Sequence, residues 1–197
     1  MSYKSYIKCY KDELDFISKD IIFTGKVLYK EGLVTSHAGN ISVKHKDSII
    51  ITKTGRMLGF LKKEDLITVS IDKPQEKDKE ASSELIVHRE IYKKTDAKAI
   101  IHAHPIYATS LTFKMERYFE PIDNEGKLFI GTVPIVDVEK ATASLELAQE
   151  VSSVLKEYNL CLVKTHGVFV KADSLNYALK LCSDLEFCAK IYTLARL

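Results

Sequence analysis

His102 and His104 stand two residues apart at the end of the apolar run Ala99-Ile100-Ile101. On a strand, side chains at i and i+2 share a face, so both imidazoles can converge on one ion. Alone, the pair describes a packed strand end equally well. A third imidazole, His166, lies in the turn Lys164-Thr165-His166-Gly167, where glycine permits an unusual backbone path or a close approach. Three neutral imidazoles with an open fourth position describe a catalytic Zn²⁺ site rather than a structural one. Spacing along the chain leaves open whether the three meet.

Glu84 follows Ser82-Ser83 at the start of a helical stretch, where a carboxylate interacts well with the helix dipole. It reads either as a solvated capping residue or as a general base beside a metal. His88, four residues on, shares its helical face and reads as a packed histidine or as a partner of the site. Small polar groups cluster at three further places: Gly39-Asn40-Ile41-Ser42, Thr54-Gly55 and Ser82-Ser83. Each sets hydroxyl or amide donors beside a glycine or a helix start, which suits a phosphate. Each is also a commonplace turn or cap. Lys53 adds charge there or points to solvent.

These residues need elements to hold them. From Asp12 to Tyr29, Leu14, Ile17, Ile21, Ile22, Val27 and Leu28 follow a helical rhythm that Gly32 ends. Asn40–Lys44 and Ser48–Thr52 read as strands around His45-Lys46-Asp47, with a further strand at Leu66–Ile71. Asp72–Glu80 reads as a solvated loop. Ser82 is expected to open and cap a helix carrying Leu85, Ile86, Ile91 and Tyr92. Ala99–Ile101 reads as a buried strand, and Pro105 suits the first turn of a helix to Thr112. Leu128–Ile130 and Val133–Val138 are strand-like, and Ser144–Glu157 is helical. Leu160–Lys164 and Val168–Lys171 flank the His166 turn, and Ser174 caps a last helix to about Ala195. Helices alternating with short, turn-joined strands predict α/β layers around a mixed or antiparallel sheet.

The chain has 197 residues, 29 Lys+Arg against 27 Asp+Glu, and a formal net charge of +2. At roughly 150 residues per domain this length predicts one domain over 1–197. It buries enough surface to need no disulfides. The charge balance argues against a strongly basic nucleic-acid binder. Cys9, Cys161, Cys182 and Cys188 form no CxxC pair and read as buried thiols in a reducing compartment. Met1-Ser2-Tyr3-Lys4 opens no signal-peptide run, and no stretch approaches the ~18 apolar residues of a membrane helix. The expectation is a cytoplasmic protein with no nucleic-acid or membrane partner.

Five motifs stand in order: His37-Ala38-Gly39-Asn40-Ile41-Ser42, Ile51-Thr52-Lys53-Thr54-Gly55, Ser82-Ser83-Glu84 with His88, Ile101-His102-Ala103-His104-Pro105, and Thr165-His166-Gly167-Val168. Together they resemble the class II aldolase/adducin family over residues 12–193, nearest to its ketose 1-phosphate aldolases, such as those acting on L-fuculose 1-phosphate. The resemblance implies a three-layer αβα sandwich around a largely antiparallel sheet. It implies one Zn²⁺ per subunit on His102, His104 and His166, with Glu84 as acid/base that approaches the metal when no substrate is bound. It implies a substrate phosphate held by Asn40, Thr54, Gly55, Ser82 and Ser83. The implied reaction is cleavage to dihydroxyacetone phosphate and an aldehyde through a metal-stabilised enediolate, in a homotetramer.

Two departures accompany the resemblance. In the family's bacterial aldolase a mobile tyrosine from a neighbouring subunit, in a segment between the HxH pair and the last ligand, serves as acid, whereas Glu120-Pro121-Ile122-Asp123-Asn124-Glu125 has none. Tyr118 lies just before this stretch and receives no role. Lys53 stands where the family usually has Pro. Within the family, a methylthioribulose-phosphate dehydratase shares the same site, and a pentulose-phosphate 4-epimerase is expected to run on past Leu197. A non-catalytic adducin-like scaffold is expected to lose the ligands retained here. A generic zinc hydrolase leaves the paired serines and the Gly39-Asn40 turn unexplained.

Overall fold

Ile41 and Val43 alternate with Ser42, Ile49–Ile51 and Leu160–Val163 are continuous apolar runs of buried strands, and the described residues form an eight-stranded sheet. The computed structural model describes residues 3–196, with side chains from residue 12 onward. The strands are β1 (Asn40–His45), β2 (Ser48–Thr52), β3 (Leu66–Ser70), β4 (Ala99–Ala103), β5 (Tyr118–Phe119), β6 (Val133–Val136), β7 (Leu160–Val163) and β8 (Gly167–Ala172). Their spatial order is β3-β2-β1-β4-β8-β7-β6-β5. Only β6 and β7 pair in parallel; the other neighbours are antiparallel.

Among the described residues, five α-helices cover the two faces: α1 (Tyr3–Lys30), α2 (Leu85–Lys94), α3 (Ile106–Leu111), α4 (Leu145–Val154) and α5 (Leu175–Leu194). Helices α1, α3 and α5 share one apolar layer with Ile41, Ile101 and Val170, while α2 and α4 share the other with Ile49, Ile100 and Phe169. The architecture is therefore a three-layer αβα sandwich around a largely antiparallel sheet. β4 and β8 are buried along their whole length. Ile100 and Ile101 are 0 % exposed, one on each face, and each burial is worth about 1.5–3 kcal/mol. The sheet is consequently most firmly held where the histidines lie.

Local sequence explains the ends of the elements. Gly32 adopts φ +72°, its N–H bonds to Tyr29 O, and Leu33 N–H reaches back to Leu28 O, closing α1 in a Schellman turn. Ser144 Oγ accepts from Leu147 N–H and Ser174 Oγ from Tyr177 N–H, capping α4 and α5. Three expectations are corrected. Ser82 does not open α2: Glu84 occupies the cap position without a side-chain cap bond, and Leu85 N–H bonds to the Ser82 carbonyl. The stretch Leu128–Ile130 is no strand but part of a π-turn over Gly126–Ile130, with Leu128 75 % exposed. Asp72–Glu80 ends in a short 3₁₀ turn, Glu76–Glu80.

Cys161, Cys182 and Cys188 are free and buried, as expected, whereas Cys9 and the Met1-Ser2 start fall outside the described side chains. Among the described residues, no helix is long and apolar enough to cross a membrane.

Candidate metal centre and anion cleft

Alternation along β4 sends Ile100 and His102 to the α2/α4 face, and His104 continues that parity just past the strand end. β8 brings in the third imidazole: Ala103 pairs with Val168 and His102 with Phe169, so the turn before β8 ends beside His104. His102 Nε2 lies 2.9 Å from His104 Nε2 and 3.2 Å from His166 Nε2. Ligand nitrogens about 2.0–2.1 Å from a tetrahedral ion would stand about 3.3 Å apart, close to the observed spacing. Three imidazole nitrogens this near one another call for a shared proton or a cation between them.

The donor set fits such an ion. His102 Nδ1–H donates to the Val168 carbonyl at 2.9 Å, which leaves the Nε2 lone pair facing its two neighbours. Phe169 stacks beneath the ring at 4.2 Å and 17° and fixes its plane. Burial, reinforced by the neighbouring imidazoles, pushes His102 well below its ordinary range and His104 down to about 4. Burial also lowers His166, against the opposing pull of the Ala141 backbone. At neutral pH all three are uncharged ligands that need lose no proton to bind a cation.

Two glycines make this geometry fit. At Gly167 an added Cβ would stand 2.3 Å from Ala103 O and 2.7 Å from His104 Cδ2. At Gly39, φ is +80° and a Cβ would meet Val34 Cγ1 at 2.7 Å and His102 O at 2.9 Å. Gly167→Ala is therefore expected to lose about 1–3 kcal/mol of stability from overpacking. It should weaken metal binding at the same time, because the displaced group is the His104 ring, one of the three converging imidazoles. Thermal unfolding and metal titration check this; unchanged metal affinity would show that the His104 ring does not depend on the turn.

The small polar motifs meet through one isolated bridge, Lys53 with Ala81. Thr54 N–H bonds to Glu80 O and Ser82 N–H to Thr52 O, so the Thr54-Gly55 turn lies against Ser82-Ser83. Gly55 holds φ +67° with open space around it, so it is the backbone path that requires glycine there. Asn40, Thr54, Gly55, Ser82, Ser83, Glu84, His102, His104 and His166 all line one cleft. Every site residue expected from the sequence is thus brought together.

Glu84 stands in the cleft wall apart from the imidazole group, whose three ligand atoms lie within 4.8 Å of one another. Both carboxylate oxygens accept from Ala143 N–H at 3.2 Å. Burial raises this carboxyl to about 7, and the Ala143 amide partly opposes the shift. A group poised there can both take and return a proton near neutral pH.

The cleft also contains residues that the sequence did not single out. Thr142 belongs to the loop that carries the Ala143 amide, and no local pattern marks it. Arg56 follows Gly55 directly, and a cation beside a glycine turn is the signal that could have found it. Lys53 and Arg56 line the rim, paired with Glu80 at 2.9 Å and Asp65 at 3.3 Å. Tyr118 lies elsewhere: it is exposed on β5, the far edge strand.

Comparison with known proteins finds relatives over most of the chain. The family model "Class II Aldolase and Adducin N-terminal domain" matches residues 19–193. An L-fuculose phosphate aldolase of Methanocaldococcus jannaschii is 35% identical over 174 residues, covering 88% of this chain and 93% of that protein. The crystal structure of L-fuculose-1-phosphate aldolase from Thermus thermophilus superposes with a TM-score of 0.87 at 34% identity, covering 91% of this chain and 94% of the other. A methylthioribulose-1-phosphate dehydratase of Sulfurihydrogenibium is 33% identical over 163 residues, covering 72% of this chain and 73% of that protein.

Proposed function

The chain belongs to the class II aldolase and adducin family, and from that premise we propose that it is a metal-dependent aldolase. It cleaves a ketose 1-phosphate of the L-fuculose 1-phosphate kind into dihydroxyacetone phosphate and an aldehyde. The observation that carries this reading is the single cleft that joins three converging imidazoles, a carboxyl raised to about 7, and an anion cradle.

His102, His104 and His166 would hold the ion, which we propose to be Zn²⁺, one per subunit. When bound, it supplies Lewis-acid stabilisation of negative charge developing on the substrate oxygens. Glu84 moves the proton at the hydroxyl-bearing carbon of the dihydroxyacetone phosphate half, removing it in condensation and returning it in cleavage. Asn40, Thr54, Gly55, Ser82 and Ser83 bind the phosphate and so hold the reacting carbons in register with Glu84 and the imidazoles. Lys53 and Arg56 on the rim add favourable charge for a dianion. We further propose a homotetramer in the cytoplasm with no membrane or nucleic-acid partner, and light scattering in solution tests the assembly.

A second reading, dehydration of methylthioribulose 1-phosphate, draws on the same imidazoles and carboxyl. It is also favoured by the lack of a tyrosine in Glu120–Glu125, the stretch where the family's aldolase carries its acid. Mass-spectrometric product analysis with a panel of ketose 1-phosphates separates the two. Release of dihydroxyacetone phosphate is expected; loss of water with the carbon chain intact would replace the aldolase reading by the dehydratase.

A further inference from the structure

Between α2 and β1 four buried polar side chains stand in a row, bordered by the apolar layer of Ile49, Ile100 and Phe169. On α2, His88 and Tyr92 are i and i+4, about 6.0 Å apart along the axis. On β1, Asn40 and Ser42 are i and i+2, about 6.8 Å apart, so the two pairs interdigitate. His88 Nε2 lies 2.6 Å from Asn40 Oδ1, His88 Nδ1 lies 2.7 Å from Ser42 Oγ, and Ser42 Oγ lies 2.9 Å from Tyr92 Oη. His88 and Ser42 are 0 % exposed, Tyr92 2 % and Asn40 5 %.

Donor and acceptor capacities fix the direction of this chain. Asn40 Oδ1 only accepts, so His88 Nε2–H donates to it. The buried ring, which burial pushes down to about 3, is neutral and has one proton to give. Nδ1 is then the acceptor, Ser42 O–H donates to it, and Tyr92 O–H donates to Ser42. With its carbonyl oxygen turned inward, Asn40 presents Nδ2 to the cleft, and among the described residues that group has no partner.

We propose that His88 is a positioning residue, held by Ser42 and Tyr92, whose hydrogen bond to Asn40 Oδ1 fixes the Asn40 amide with its two N–H donors aimed at an anionic oxygen of the substrate. Without this bond the amide can rotate and offer its acceptor to an anion. The phosphorylated identity of that substrate rests on the function proposed above; the orientation of the amide does not. A wholly apolar filling of the α2–β1 interface would satisfy packing equally well, so these hydroxyls and this imidazole are explained by what they orient.

The test uses ¹⁵N-labelled, metal-loaded protein. The Asn40 side-chain amide signals are followed without ligand, and dihydroxyacetone phosphate is then titrated in. His88→Phe keeps a ring but removes the donor. It is expected to move both Asn40 Nδ2 proton signals and to weaken dihydroxyacetone phosphate about tenfold, with metal content unchanged, in line with the loss of an outer partner. His88→Gln restores an N–H donor and should recover most of that affinity. Tyr92→Phe removes only the outermost donor and should give a smaller shift of the same signals; it carries the test if His88→Phe does not fold. Unmoved Asn40 signals in a folded variant would overturn the inference. If the signals move but the parent protein binds no dihydroxyacetone phosphate, the relay stands and the aldolase reading falls.

Discussion

Replacing His102 with alanine is expected to remove bound metal and turnover together. His102 is the middle of the three ligands, with its Nε2 within 3.2 Å of both of the others. Its orientation is also the most completely fixed, by the Val168 carbonyl on one nitrogen and by Phe169 beneath the ring. Mutating outer partners of metal ligands costs about 10- to 100-fold in affinity or activity, so losing the central ligand should exceed a hundredfold. Metal analysis of the purified variant beside its turnover checks this. Normal turnover in metal-free His102→Ala protein would sink the metal-dependent mechanism.

Glu84→Gln should separate the two functions that His102→Ala is expected to abolish jointly. Glutamine keeps the size of the side chain, and the imidazole group does not include Glu84, so metal is expected to stay. Proton exchange at the hydroxyl-bearing carbon of dihydroxyacetone phosphate should fall about 10²- to 10⁴-fold, the usual contribution of a general base. Exchange at the parent rate would mean that another group is the base.

The same substitution has a pH signature in metal-free protein. Glu84 titrates near 7 in the fold, against an ordinary value of 4.5. Between those values the folded chain holds a proton that the unfolded chain has released, so stability falls as pH rises through this window. After allowance for partial solvent screening, the loss is on the order of 1–3 kcal/mol. Glutamine carries no such proton, so Glu84→Gln should unfold at a higher temperature than the parent at pH 8 and near the parent value at pH 4. Equal unfolding temperatures at pH 8 would show that the fold does not raise the proton affinity of this carboxyl.

Much of this was legible in the chain because it rests on period. Alternation placed His102 and His104 on one face, and the helical rhythm of Leu14 to Leu28 marked α1. The hydroxyl before an apolar run marked the cap Ser174. What could not be read is pairing. His166 reaches the other ligands only through the β4–β8 register, and Thr54-Gly55 reaches Ser82-Ser83 only through the single bridge from Lys53 to Ala81. Neither leaves a local pattern. Leu128–Ile130 looked like a strand because three apolar residues in a row suggest burial, yet Leu128 and Phe129 face outward on a π-turn. Glu84 could be suspected as a base from its position after two serines. Its raised affinity for a proton comes from tertiary burial, which spacing does not encode.

The antiparallel partnership of Asn40 with His102 gives the folding reaction an internal proofreading mark. Side chains alternate, so a slip of β1 by one residue would set Ile41 in the cleft and turn the Asn40 amide towards the layer under α1 and α5. The three imidazoles belong to β4, the residue just past its end and the turn before β8, so such a slip would leave their mutual placement unchanged. In a refolded preparation, a slipped β1 would therefore lower the anion stoichiometry expected of the proposed phosphate site while sparing that of the proposed metal site.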